Sequence, residues 1–291
     1  MEFKDYISII RPTGWALTFI SVTIGALLAF KNLDFSFLSN LFLTILIIGP
    51  LLGGGLYTLN SIYDIKFDRK HPIKKKLSLA SGKITKKEAW TIFLIHALLA
   101  FILSIVFDSR LLFIVLLMII LQTIYCCPPF RQKEKKSGII FSGPLNHVLR
   151  IMAGFLVINE SLKGFPIIFV AGLWFFFNSK YLLYKFIDLD EYKKSKYDTI
   201  LIDENPKKTL IRLSILILIS ISLINLSFVI NEIHYRFLLM NILISIEWFG
   251  SIIYIHSNKY YSSDKYPEFV KGLKIFGILG ILVTILVAFL I

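Results

Sequence analysis

The stretch "LNSIYDIKFDRKHPIKKK", Leu59 to Lys76, places one amide and two carboxylates four residues apart at the end of an apolar segment. On a helix, Asn60, Asp64 and Asp68 lie on one face. Such a row of oxygen ligands suits Mg²⁺, which takes one or two carboxylates and completes its shell with water and phosphate oxygens. The alternative is a helix end with its carboxylates paired to neighbouring cations. We expect the carboxylates to lie at a wet helix end.

The chain as a whole is strongly apolar. Of its 291 residues, 56% are hydrophobic, and the mean hydropathy is +0.73. This composition excludes an ordinary soluble domain and predicts an all-α polytopic membrane protein. Apolar runs of about 20 residues, the length that crosses a bilayer, predict nine transmembrane helices. These spans lie near residues 14–30, 39–63, 87–107, 110–126, 138–158, 166–187, 208–230, 236–256 and 272–291.

The cations predict how these spans are oriented. With a cytoplasmic N-terminus, the cytoplasmic segments carry 24 of the 32 Lys and Arg residues, and each of the four opposite loops carries one. Cytoplasmic loops are normally the ones enriched in these residues. We therefore expect an integral protein of the cell membrane with its N-terminus and motif loops cytoplasmic and its C-terminus outside. The net charge of +13 fits anionic lipid heads or a phosphorylated substrate and not nucleic acid, because the cations occupy short loops at a membrane face.

A basic segment follows the carboxylates. Arg69 comes directly after Asp68, and Lys74, Lys75 and Lys76 follow within one short loop. Fixed cations beside metal-binding carboxylates form an arrangement that can hold a diphosphate. The segment therefore indicates a binding site for a phosphorylated substrate at this membrane face.

The same segment resembles the first aspartate-rich motif of the UbiA superfamily of intramembrane prenyltransferases, N-D-x-x-D-x-x-x-D-R followed by a basic stretch and S-G. Ser61 stands in place of the motif's first aspartate, and Leu77-Ser78 stand where many members have Arg-Pro. The resemblance implies Mg²⁺ and diphosphate binding with one ligand weakened. The matching residues are Asn60, Asp64, Asp68, Arg69, Ser81 and Gly82.

Two further segments extend the resemblance over nearly the whole chain. Arg11-Pro12 is similar to the family's entry to the first helix. The segment "YCCPPFRQK" is similar to the family's Y-S-x-P-P-x-x-x-K loop, with Tyr125 and Lys133 at its two ends. The resemblance implies one domain over residues 1–291, in which nine transmembrane helices surround a central cavity.

The family's second aspartate-rich motif, D-x-x-D-x-x-x-D, is incomplete in this chain. At its positions, at the end of the sixth predicted span, the chain has Lys185, Asp188 and Tyr192, with Asp190 nearby. The resemblance implies that Asp188 and Asp190 hold a second Mg²⁺, or that Lys185 acts as a counter-charge for the diphosphate. A solvated loop of mixed charge is the alternative.

Arg150 is a charge inside a predicted span, where ionisable residues are costly and point to function. It could face the diphosphate or the acceptor. It could also form a buried ion pair, for which Glu247 in the eighth predicted span is a candidate.

Together these resemblances imply an enzyme that transfers an isoprenoid from a prenyl diphosphate to an aromatic or lipid acceptor, with Mg²⁺ as cofactor. Two other functions stay open: phosphoribosyl transfer to a polyprenyl phosphate, as in decaprenyl-phosphate phosphoribosyltransferases, and non-catalytic lipid binding. The implied catalytic residues are Asp64, Asp68, Asp188, Lys133 and Tyr125, the metal ligands are Asn60, Asp64, Asp68, Asp188 and Asp190, and the diphosphate-binding residues are Arg11, Asn60, Arg69, Lys74, Lys133, Arg150 and Lys185.

Overall fold

The structure is a computed structural model that describes residues 2–71, 74–187 and 206–238, and also 241–242, 245–246 and 249–250. All regular structure in these residues is helical, as the sequence predicts. The long helices are α1 (Phe3–Ile10), α2 (Trp15–Leu28), α3 (Phe35–Leu46), α4 (Gly54–Asp68), α5 (Lys86–Phe107), α6 (Ser109–Cys126), α7 (Lys136–Asn159), α8 (Ile167–Ile187) and α9 (Pro206–Val229).

Helices α3 and α4 are joined by a π-helical turn, Ile47–Gly53, that contains Pro50. Proline cannot donate the backbone hydrogen bond of a regular α-helix, and a wider turn accommodates it. The result is one continuous helical segment, Phe35–Asp68, that carries the carboxylates at its C-terminal end. It confirms and extends the predicted span at 39–63.

Four helical segments in the described part of the chain are long and apolar enough to cross a membrane, and α1 with α2, bent by 51°, forms a fifth if counted as one span. Apolar side chains on α5 such as Leu94, Leu98, Ile102 and Val106 are exposed. Exposed leucine and isoleucine along a helix are expected where lipid surrounds it. The nine-span count stays a prediction, because the last span lies outside the described residues and the eighth lies only partly inside them.

The described helices form two compact units. In the first, α2 packs along α7, α5 packs on both α4 and α6, and α6 packs on α7. In the second, α8 packs along α9. Helix α7 is continuous through Pro144, so the predicted span at 138–158 forms a helix. The prediction of a single domain over residues 1–291 stays a prediction.

Helix α1 fixes the segment that follows the carboxylates. Its Ile9 and Ile10 are buried in an apolar cluster with Ile62 of α4. The buried Asp5 carboxylate accepts a hydrogen bond of 3.0 Å from the Ser78 hydroxyl. The basic loop after α4 is therefore held against α1 at one end of the helix bundle. Other members of the cluster are Leu79, Ile84, Ala89 and Ile92.

Candidate active site

Helix α4 brings Asn60, Asp64 and Asp68 onto one face, as their spacing predicts. The two carboxylates are buried, with 7% of Asp64 and 6% of Asp68 exposed. The expectation of a wet helix end was wrong. Cations from two other segments lie against the carboxylates and exclude water from them.

The loop between α6 and α7 supplies the cations that contact Asp64. The Lys133 ammonium donates hydrogen bonds to Oδ1 of Asp64 and, at 2.9 Å, to Oδ1 of Asn60. Lys133 is 2% exposed, and burial lowers the pKa of its ammonium while the Asp64 carboxylate opposes that shift. A buried lysine of this kind requires a negative partner, and Asp64 provides one.

Arg131 is a site residue that the sequence analysis did not identify. Its guanidinium lies 3.2 Å from Oδ1 of Asp64, donates to the Tyr63 carbonyl at 3.2 Å, and pairs with Glu134. Its φ of 36° is in the left-handed region, which is uncommon for a residue other than glycine. Only a weak signal in the sequence pointed to Arg131, because it is one of several cations in this loop and lies two residues before Lys133.

Arg11 reaches the other end of the row of carboxylates. Its guanidinium lies 3.9 Å from Oδ2 of Asp68 and donates to the Ser61 hydroxyl at 3.1 Å. Ser61, which replaces an aspartate of the family motif, thus helps position a cation. Arg11 also has a positive φ, 50°. Two arginines in the left-handed conformation therefore reach the two carboxylates, and strained backbone of this kind clusters at functional sites.

The contacts that hold the basic loop after α4 differ from those that the sequence predicts. The Arg69 side chain donates to the Ala80 carbonyl at 3.3 Å, and it forms no ion pair among the residues that the structure describes. The backbone N–H of Lys74 donates to Nδ1 of the buried His71 at 3.2 Å. Arg69 in this structure therefore holds the loop, and Lys74 follows the carboxylates by one short turn.

The other predicted site residues lie on other helices or outside the described part. Tyr125 is half-buried on α6 and packs against the main apolar core. Arg150 is buried on α7. Asp188, Asp190 and Glu247 lie outside the described residues, as does the side chain of Lys185. The predicted second metal site and the pair between Arg150 and Glu247 therefore stay predictions.

The donor atoms of the α4 row fit Mg²⁺, because all are carboxylate or amide oxygens. Within residues 2–71, 74–187 and 206–238, no three His, Cys, Asp or Glu side chains converge on one point. A metal held there would therefore depend on Asn60, Asp64 and Asp68 together with substrate oxygens. Because Lys133 occupies one oxygen each of Asn60 and Asp64, metal binding requires that its hydrogen bonds rearrange.

Comparison with known proteins places the chain in a family. The profile of the UbiA prenyltransferase family matches residues 18–270. A stretch of 88 residues is 40% identical to the chloroplastic 2-acylphloroglucinol 4-prenyltransferase of Humulus lupulus, and it covers 29% of this chain and 21% of the plant protein. The match thus spans about a fifth of that relative's length.

Solved structures share the fold over almost the full length. A UbiA homolog from Archaeoglobus fulgidus bound to GPP and Mg²⁺ has a TM-score of 0.79 at 19% identity, with coverage of 99% of this chain and 100% of that one. A digeranylgeranylglyceryl phosphate synthase has a TM-score of 0.72 at 20% identity, with 99% of both chains covered. The apo UbiA homolog from Aeropyrum pernix K1 has a TM-score of 0.72 at 15% identity, with coverage of 94% of this chain and 98% of that one.

Proposed function

We propose that this chain, which belongs to the UbiA prenyltransferase family, is an integral membrane enzyme that transfers an isoprenoid from a prenyl diphosphate to an acceptor. The observation that carries the proposal is the contact of Lys133 and Arg131 with Asp64 on the oxygen-bearing face of α4. Metal-binding oxygens and phosphate-binding cations thus share one buried cluster. Such a cluster is suited to a metal diphosphate.

Within the proposed site, Asn60, Asp64 and Asp68 hold Mg²⁺, and Asp188 with Asp190 holds a second ion. Bound Mg²⁺ supplies charge that stabilises the departing diphosphate. We assign Lys133, Arg131, Arg11 and Lys74 to the phosphate oxygens, with Arg69, Lys185 and Tyr125 as further contacts. In this arrangement Lys133 exchanges Asp64 for a phosphate oxygen when the donor binds.

The proposed reaction is a substitution at the first carbon of the prenyl group. The bond between that carbon and the diphosphate oxygen breaks, and the oxygen keeps the electron pair. The acceptor's nucleophilic atom forms a new bond to the carbon and loses a proton. Fixed cations around the leaving group lower the barrier because they stabilise charge that develops in the transition state.

The proposed orientation follows the distribution of cations. The N-terminus, the loop after α4 and the loop between α6 and α7 face the cytoplasm, and nine spans place the C-terminus outside. A soluble diphosphate headgroup then reaches the carboxylates from the cytoplasm, while the isoprenoid chain stays in the membrane.

Binding of two candidate donors tests this function. Purified protein in nanodiscs is titrated by calorimetry with geranylgeranyl diphosphate and, in parallel, with phosphoribosyl diphosphate, with Mg²⁺ or EDTA. We expect Mg²⁺-dependent binding of the prenyl compound, and its loss in Asp68→Asn. Binding of the sugar compound alone would favour phosphoribosyl transfer, and binding of neither would favour a non-catalytic lipid-binding protein.

A further inference from the structure

A groove with a volume of about 410 Å³ lies between α1, the π-helical turn and α5. Tyr6 of α1, Leu51 of the turn and one face of α5 from Lys87 to Leu99 line it. Neither the carboxylates of α4 nor the cations that contact them are among its described lining residues. It is therefore distinct from the candidate active site, and we call it the α5 groove.

His96 holds the three walls of the α5 groove together. Its Nδ1 atom donates to the Leu51 carbonyl at 2.9 Å, and its Nε2 atom lies 2.7 Å from the Tyr6 hydroxyl oxygen. A Cβ atom on Gly55 would lie 3.0 Å from Cβ of His96, so glycine allows α4 to approach α5 this closely. These contacts fix the walls, and a preformed site binds a ligand without the cost of ordering its own residues.

The α5 groove is polar at one end and apolar at the other. Lys87, Glu88 and Thr91 lie in the first turns of α5, whereas Ile95 and Leu99 lie further along the helix. The separation of Lys87 and Leu99 in the sequence corresponds to about 18 Å along the helix axis. Because the hydrocarbon core of a bilayer is about 30 Å thick, this length is close to the thickness of one leaflet.

The surroundings of the α5 groove favour a lipid as its occupant. Helix α5 is one of the segments that are long and apolar enough to cross a membrane, and its Ile95 and Leu99 side chains are exposed. Exposed apolar side chains on a spanning helix contact acyl chains. A water-soluble ligand would have to enter the apolar end through the bilayer, whereas an acyl chain is already there.

The polar end of the α5 groove carries an excess of positive charge. Lys83, Lys86 and Lys87 are exposed, and none of them forms an ion pair among the residues that the structure describes. The neighbouring Glu88 carboxylate accepts hydrogen bonds from the backbone N–H and the hydroxyl of Thr85, at 2.7 and 2.8 Å. The helix dipole disfavours lysine in a first turn, so helix stability does not explain two lysines there. A negatively charged lipid headgroup complements them.

We propose that the α5 groove binds one anionic phospholipid of the surrounding bilayer. Its phosphate lies beside Lys87, within the positive field of Lys83 and Lys86, and one acyl chain runs along Ile95 and Leu99. This lipid is a resident of the outer surface of the helix bundle and takes no part in the transfer reaction. The inference goes beyond the proposed prenyl transfer and does not depend on it.

The first test measures headgroup preference by native mass spectrometry of the full-length protein in detergent. The probes are phosphatidylglycerol and phosphatidylcholine with identical acyl chains. Wild-type protein should bind phosphatidylglycerol roughly tenfold more tightly, because each lysine near an anionic headgroup adds to the affinity. Lys86→Gln/Lys87→Gln should abolish that preference. The matched control, Lys75→Gln/Lys76→Gln, removes two exposed lysines of the basic loop after α4 and should keep it.

A second test locates the acyl chain. Phosphatidylglycerol with a photoreactive diazirine in one chain should label α5 between Lys87 and Leu99. Ile95→Trp fills the groove and should reduce that labelling at least to the level given by phosphatidylcholine with the same diazirine. Ile102→Trp places the same side chain at an exposed position of α5 outside the groove and should leave the labelling as it is.

Three results would overturn the proposal: equal affinity of wild type for the two lipids, an equal loss of preference in both double-lysine variants, or labelling of α5 that survives Ile95→Trp. The second would mean that only the overall charge of this membrane face attracts lipid. A wild-type dimer that Ile95→Trp converts to a monomer would assign the groove to a second copy of the chain and would also overturn it. Neither test uses Mg²⁺ or a prenyl diphosphate, so failure of the proposed prenyl transfer would leave both tests decisive.

Discussion

Two cationic segments reach the same face of α4, and they hold its carboxylates in different ways. The loop between α6 and α7 places Lys133, with a side chain only 2% exposed, directly against Asp64. The turn before α2 places Arg11, with a side chain 27% exposed, 3.9 Å from Asp68. Asp64 thus forms a buried ion pair, and Asp68, one helical turn later, forms a longer and partly exposed one.

This difference suggests separate tasks for the two carboxylates. Asp64 compensates two cations of a loop, so it contributes to the folded structure even without substrate. Asp68 has a weaker partner, so its carboxylate is the more readily released ligand for an incoming metal. Binding of a metal diphosphate therefore requires little change at Asp68 and a rearrangement of hydrogen bonds at Asp64.

The largest expected effect is that of Asp64→Asn, which should remove activity and also stability. The substitution leaves Lys133 buried without its carboxylate, and breaking a buried pair costs roughly 3–5 kcal/mol. Thermal unfolding measures the loss. The double variant Asp64→Asn/Lys133→Met should recover most of the stability and none of the activity, and an unstable double variant would contradict the assigned pairing.

Asp68→Asn should reduce Mg²⁺-dependent prenyl transfer by roughly 10²–10³-fold, the range seen when a group that stabilises developing charge is removed. Its Tm should change little, because Arg11 retains partial exposure and a bond to Ser61. Initial rates and Tm are measured together, with Asp34→Asn, at the N-terminal cap of α3, as the control. A variant that is active, or inactive only because it unfolds, would remove the distinction between the two carboxylates.

Arg131→Lys should weaken donor affinity roughly tenfold, the equivalent of one hydrogen bond to a charged group. A lysine keeps the charge but cannot contact Asp64, the Tyr63 carbonyl and Glu134 at once. Calorimetry with geranyl diphosphate measures the change. Arg110→Lys, which affects a pair with Asp108 at the other end of α6, should leave affinity as it is. Equal effects of both variants would argue against a specific role for Arg131.

The smallest effect is expected from Arg11→Gln, because a partly exposed ion pair contributes about 0–1 kcal/mol. Its contribution to donor affinity should also decrease as salt increases, since ions screen exposed charges more than buried ones. Titrations of wild type and Arg11→Gln with geranyl diphosphate at low and high salt measure this decrease. A stability loss as large as that of Asp64→Asn would mean that the ion pairs of the two carboxylates are equivalent.

The sequence predicted the features that depend on local spacing. The row of Asn60, Asp64 and Asp68 follows from helical periodicity, and the bounds of α5 and α6 follow from hydropathy. Lys133 was identified through the family's loop motif. These features depend on neighbours along the chain or on a known pattern.

The features that the sequence did not predict depend on contacts between distant segments. Burial of the carboxylates requires the loop at Arg131–Lys133 to fold back onto α4, some 70 residues earlier, and no local signal encodes that. Arg69 was expected at the diphosphate because it adjoins Asp68, yet its side chain donates to Ala80.

The most direct test of the central claim, that the α4 row holds a metal diphosphate, is electron paramagnetic resonance of Mn²⁺ in place of Mg²⁺. Wild-type protein should bind Mn²⁺ in the presence of geranyl diphosphate, and Asp68→Asn should lose the ion held by the α4 row while staying folded. Unchanged Mn²⁺ binding in Asp68→Asn and in the Asp64→Asn/Lys133→Met double variant would place the metal elsewhere and contradict the account.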